Sequence, residues 1–126
     1  MKSFSEIDTT VKRASKSIGF EWGVAEELGK NIRLLEMFGL AGLKNLNSYF
    51  KIYNQKQFQK ISLISKINTS SIAYCPIISG TNFLDQVINL EKMDEINFEN
   101  MAYPLLFLPF VSRATEIIGK RIFLNI

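Results

Sequence analysis

Apolar residues recur at steps of three and four through the first fifty positions, and no other pattern in the chain restricts its fold as strongly. Phe4, Ile7, Val11, Ala14 and Ile18 form the first series, which a 3.6-residue helix gathers onto one face. Ser3 with Glu6 three residues later has the spacing of a capping box, in which the hydroxyl accepts from the third helical amide and the carboxylate reaches back. A helix is predicted to start there and to stop at Gly19, a residue that tolerates a left-handed cap. Trp22, Ala25, Leu28, Ile32, Leu35 and Phe38 predict the buried side of a second helix, from about Glu21 to Phe38, ended by Gly39. Leu40, Leu43, Leu46 and Phe50 predict a shorter third. The apolar faces of such a helical head must cover something.

After Phe58 the vocabulary turns to Ile, Ser, Phe and Tyr in short runs, which favours strands. Residues Phe58–Ile64 and Ser71–Ile78 are the best candidates, separated by a polar turn at Asn68-Thr69-Ser70. Ser79-Gly80-Thr81-Asn82 reads as a loop and N-cap leading into a helix over Phe83–Leu90, with a further strand near Ile96–Phe98. Pro109 lies too close behind Pro104 for a regular helix start, so an extended or irregular Pro104–Leu108 should precede a helix to Ile118, closed by Gly119. Arg121–Ile126 reads as a terminal strand, and its abrupt apolar end predicts a chain cut short at its C-terminus. The fold class expected is α+β: an N-terminal helical layer packed on a small mixed sheet with one or two further helices, in a single domain of residues 1–126.

Composition narrows the chemistry more than the fold. With 126 residues, 47% of them hydrophobic, the chain is long enough to bury a core without disulfides or a metal. It contains no His and a single Cys, so Cys-His and Ser-His-Asp catalysis and the usual zinc sites are excluded. The net charge of +3 is too mild to name a partner, but its distribution is uneven. Between Met37 and Leu84 there is no Asp or Glu, whereas Lys44, Lys51, Lys56, Lys60 and Lys66 all fall there; Asp85, Glu91, Asp94, Glu95 and Glu99 follow. The two blocks are expected to neutralise each other in the fold. The N-terminus is charged and lacks the apolar run of a signal peptide, and the longest apolar stretch, Met101–Val111, holds two prolines and is too short to span a bilayer. The expectation is a cytoplasmic protein with no membrane contact.

Three groups of residues are candidates for a site. Glu21, Trp22, Glu26 and Glu27 crowd one and a half turns of helix, with Gly23 leaving room for a close backbone approach; a carboxylate beside an aromatic wall suits acid–base work or a cationic ligand. The plainer account is a Trp anchoring the core and acids complementing a helix dipole. Cys75, with Gly80 and Asp85 behind it, is the second group: a thiol before a loop, next to a helix start whose amides suit an anion. Without His to deprotonate it, Cys75 would need Lys or a helix N-terminus to lower its pKa, and its leading reading is a small buried hydrophobe. Glu21, Glu26, Glu27 and Asp85 are the acids available to magnesium, yet their spacing brings no set together, and neither metal nor cofactor is expected. Third, Lys51, Tyr53, Lys56 and Lys60 interleave lysines with aromatics as single-strand nucleic-acid surfaces do, although the aromatics can equally face the core. Ala25, Gly29 and Ile32 form a faint helix-turn-helix trace.

Ser5-Glu6-Ile7, Ala14, Gly19 and above all Trp22-Gly23-Val24-Ala25-Glu26-Glu27 resemble the opening of a proteobacterial protein family of unknown function. Cys75-Pro76-Ile77, Gly80, Leu84-Asp85 and Tyr103–Phe110 continue the resemblance in order, while Leu46–Ser71 holds no matching motif. The resemblance implies longer relatives among bacterial cytoplasmic proteins, and no reaction. The leading expectation is therefore a non-catalytic or accessory domain that contacts a protein partner or its own copy, with the helical head and Pro104–Phe110 shaping the surface. A ligand pocket or active site joining Glu21, Trp22, Glu26 and Glu27 to Cys75, Gly80 and Asp85 is the alternative. Nucleic acid, through Lys51, Tyr53, Lys56 and Lys60, is the weakest of the three readings.

Overall fold

The computed structural model describes residues 3–125. Two compact units make up the chain, Met1–Lys56 and Gln57–Ile126. Unit 1 is three helices, α1 (Phe4–Ile18), α2 (Trp22–Met37) and α3 (Gly42–Tyr53). The capping pattern at Ser3 is realised in its first half: the Ser3 hydroxyl accepts from the Glu6 amide at 3.2 Å. At the other end Gly19 turns left-handed (φ 114°), its amide donates to the Lys16 carbonyl, and the Phe20 amide donates to the Ser15 carbonyl. This paired pattern is the Schellman motif, which satisfies carbonyls that the helix end leaves open. The same device closes α2, where Gly39 (φ 73°) donates to Glu36 and Leu40 to Leu35.

With a three-residue link, α1 and α2 fold back on each other as an antiparallel hairpin. A Cβ on Gly29 would collide with the backbone carbonyl and carboxylate of Asp8, so the two helices cross at a point where only hydrogen fits. The Asp8 carboxylate also lies 3.8 Å from Arg33 one turn further along α2. The buried stripe of α1 is Ile7, Val11 and Ser15, all steps of four; Ala14 and Phe4, expected on it, are exposed. Ser15 tolerates full burial because its hydroxyl donates to the Val11 carbonyl at 2.7 Å. Phe20, in the link, is buried and packs against Phe50 and Tyr53 of α3, with ring centroids 6.1 and 5.1 Å away.

Unit 2 departs further from expectation. Its helices are α4 (Pro76–Leu90) and α5 (Leu108–Ile118), the latter entered through a 3₁₀ turn at Pro104–Phe107 and ended by left-handed Gly119. The irregular Pro104 start and the Gly119 stop match the reading of the prolines. The sheet, however, is two parallel strands of two residues each, β1 (Ile67–Asn68) and β2 (Asn97–Phe98), joined by a crossover through α4. Single parallel bridges add Gln59 to Tyr74 and Tyr74 to Met101. The fold is thus helix-dominated, α+β only in the broad sense, and the expected small mixed sheet is smaller and wholly parallel.

Local chemistry accounts for each misplaced element. Phe58–Ile64 is not a strand beyond its bridge, because α4 supplies partners that a neighbouring strand would have supplied. Gln86 accepts from the Ile64 amide and donates to the Ser62 carbonyl, and Asn82, one turn earlier, donates to the Ile61 carbonyl. The expected turn at Asn68 is instead β1, with Asn68 buried; its amide side chain donates to the Ser65 and Asn97 carbonyls and accepts from the Ser65 amide. Ser71–Ile78 gives way to α4 at Pro76, a residue suited to a first helical position. Ser79–Asn82, expected as a loop, therefore lies inside that helix. Residues 121–125 form no strand, and Ile126 lies outside the described residues. The core of unit 2 gathers Ile64, Phe83, Val87, Leu90, Phe107, Val111 and Ala114.

Candidate functional site

The acidic segment after Gly19 is split by helix geometry. Glu21 is the exposed N-cap residue of α2 and makes no side-chain capping bond. Trp22, expected in the core, is 55% exposed, because Phe20 takes the buried corner and Trp22 falls on the flank of the Ala25–Leu28–Ile32–Leu35 stripe. Glu26 lies on the Trp22 side of the helix, while Glu27 points a quarter-turn away, toward the side of Asn31 at the next turn. The three carboxylates fan out around α2 instead of converging. Gly23 faces open space; the glycine at the close approach is Gly29.

Asn31 is a position the sequence reading passed over. It is 1% exposed, one turn beyond Glu27 and beside the apolar stripe of α2. The available signal was a polar residue between Leu28 and Ile32 on a face otherwise apolar. Asn68 and Ser79 are likewise buried polar residues in segments read as turn and loop.

In unit 2, Cys75 is fully buried and is the N-cap of α4, its sulfur accepting from the Ile78 amide at 3.5 Å. Gly80 does not open the helix. It sits a turn inside α4, where a Cβ would run into the Phe110 ring, so it is a packing glycine and its amide belongs to the helix interior. Asp85 is exposed on the other side of that helix. Glu91, from the acidic block, pairs with Lys120 at 3.4 Å, a residue outside the basic block. A shallow hollow of about 440 Å³ at the end of α5 is lined by Thr115, Gly119, Lys120, Arg121, Ile122 and Phe123, none of them a nominated residue. Among the described residues no group of three or more His, Cys, Asp or Glu is placed to hold a metal ion.

The lysine-and-aromatic stretch divides by side. Lys51 and Lys56 are exposed on unit 1 and Lys60 on unit 2. Tyr53 is half-buried, its ring 5.1 Å from Phe20 and edge-on to Tyr49 at 5.5 Å, so one side of the ring is engaged by its neighbours. What unit 1 does present is apolar surface. Phe38 is 74% exposed, Met37 56%, Phe4 48% and Leu40 38%, all at the end of the hairpin where α1 begins and α2 stops.

No helix among the described residues is long and apolar enough to cross a membrane. No curated protein matches the chain, and no solved structure does. A family match covers residues 2–75, taking in all three helices of unit 1, the stretch from Leu46 to Ser71 that holds no motif of the resemblance, and the chain as far as the N-cap of α4. This is more than half of its 126 residues, and the chain therefore belongs to the family described as "protein of unknown function (DUF3726)".

Proposed function

We propose that the chain is a non-catalytic domain, from a bacterial cytoplasmic protein, that works through protein–protein contact at the open end of the α1–α2 hairpin. The observation that carries this reading is the grouping of Phe4, Met37, Phe38 and Leu40 there, since grouped exposed apolar side chains on a folded unit mark a surface that another molecule covers. The spread of Glu21, Glu26 and Glu27 around α2 and the burial of Cys75 support contact at a surface over chemistry in a pocket.

A second copy of the chain is the first occupant to test. Sedimentation velocity over about two decades of concentration should show the mass rising above 14.4 kDa for the natural chain, and a Met37→Ser/Phe38→Ser variant staying monomeric. A natural chain that stays monomeric, and that is stabilised instead by a small metabolite in a thermal-shift screen, overturns the reading in favour of a ligand-binding protein.

A further inference from the structure

The exposed face of α3 differs in kind from those of its neighbours. The exposed side of α1 carries Glu6 with Arg13 and Lys16, the mixture of signs usual for a solvated face, and the charges of α2 are engaged by its neighbours, Arg33 by Asp8 of α1 and Glu36 by the Gly42 amide at the start of α3. On α3, Gly42, Leu46 and Tyr49 are buried, and the opposite side carries Lys44, Asn47 and Lys51 at positions i, i+3 and i+7. Asn54, Gln55 and Lys56 continue the exposed surface past its end. From Met37 onward unit 1 has no acid at all, and over its whole length it carries nine Lys and Arg against six Asp and Glu.

We infer that this face of α3 docks on double-stranded nucleic acid, a function beyond the protein contact proposed above and on a different surface. The charge complementarity is direct: three lysines to phosphates, with Asn47, Asn54 and Gln55 supplying the amide side chains that hydrogen-bond phosphate oxygens and base edges. The helix is 12 residues, about 18 Å long, and its exposed side is of a size to lie along a groove of a duplex. A single strand is disfavoured because its bases need free aromatic rings, and on α3 Tyr49 is fully buried while the half-buried Tyr53 is packed against Phe20 and Tyr49.

Fluorescence anisotropy with a labelled duplex of about two helical turns, titrated between about 50 and 200 mM salt, tests the inference. The plot of log affinity against log salt should have a slope of about −0.9 for each lysine–phosphate contact, and Lys44→Gln or Lys51→Gln alone should lower its magnitude by about one contact. The Lys44→Gln/Lys51→Gln/Lys56→Gln variant should bind at least about tenfold more weakly at the low-salt end. A Lys12→Gln/Arg13→Gln/Lys16→Gln variant, equal in charge removed but altered on α1, should bind as the natural chain does. Circular dichroism of the Lys44, Lys51 and Lys56 variants should be unchanged, since these lysines are exposed, and the same measurement checks that the α1 variant is folded. Absence of binding at low salt, equal loss from the α1 variant, or tighter binding of the corresponding single strand would each overturn the inference.

Discussion

Gly80 and Ser79 are adjacent on α4 and impose opposite demands. The Gly80 Cα faces the Phe110 ring so closely that a methyl group has no place without moving an aromatic side chain of α5. Gly80→Ala should therefore cost about 1–3 kcal/mol through overpacking, even though alanine is the better helix former, and should lower the midpoint of thermal unfolding. The Ser79 hydroxyl is fully buried and has no hydrogen-bond partner among the described residues. Ser79→Ala removes an unsatisfied polar group, and its stability should be unchanged or higher by up to about 1 kcal/mol in the same thermal or urea measurement. Gly29 on α2 belongs with Gly80, because in both cases the missing side chain sets how closely two helices approach.

At the scale of elements, turn chemistry governs unit 1 and side-chain bonding governs unit 2. Two Schellman closures, at Gly19 and Gly39, satisfy the ends of α1 and α2 and send the chain into the next helix. In unit 2 the strap from Ile61 to Ile64 is held to α4 by Asn82 and Gln86, one turn apart on the same helix. Gln86→Ala deletes the acceptor of the Ile64 amide and the donor to the Ser62 carbonyl. The Ile64 amide should then exchange with solvent markedly faster by hydrogen–deuterium exchange, while amides in the middle of α5 keep their protection; unchanged exchange at Ile64 would show that the strap is held by its apolar packing alone. Cys75 acts at this scale too, as the N-cap of α4, and Cys75→Ser should preserve the helix by offering a stronger acceptor in the same position.

For the whole molecule, the boundary between the two compact units falls at Lys56–Gln57, within a run of exposed residues from Asn54 to Gln57 that follows the last turn of α3. Backbone of this kind is where proteases enter a folded chain. Limited trypsin digestion should cut first after Lys56, ahead of the lysines inside α1 and α3, and mass spectrometry of the earliest fragments checks the site. First cleavage within α3 would place the weakest point elsewhere. The family match reaches from unit 1 to Cys75, so it crosses this boundary and stops where α4 starts.

The three helices of unit 1, their glycine stops and the helix ended by Gly119 were legible in the sequence, because apolar periodicity and left-handed caps are properties of a few neighbouring residues. The absence of His chemistry was equally plain, being a matter of composition. Only tertiary structure decided that Trp22 is exposed and Phe20 buried, and that Gly80 packs against Phe110. The same holds for the strands: whether Ile61–Ile64 pairs as a strand depends on which distant group takes its amides and carbonyls, and here the side chains of Asn82 and Gln86 do so. Short-range spacing specifies the helices and where they stop; partners distant in sequence decide which faces are buried and where backbone hydrogen bonds go, because those choices depend on contacts that no local pattern contains.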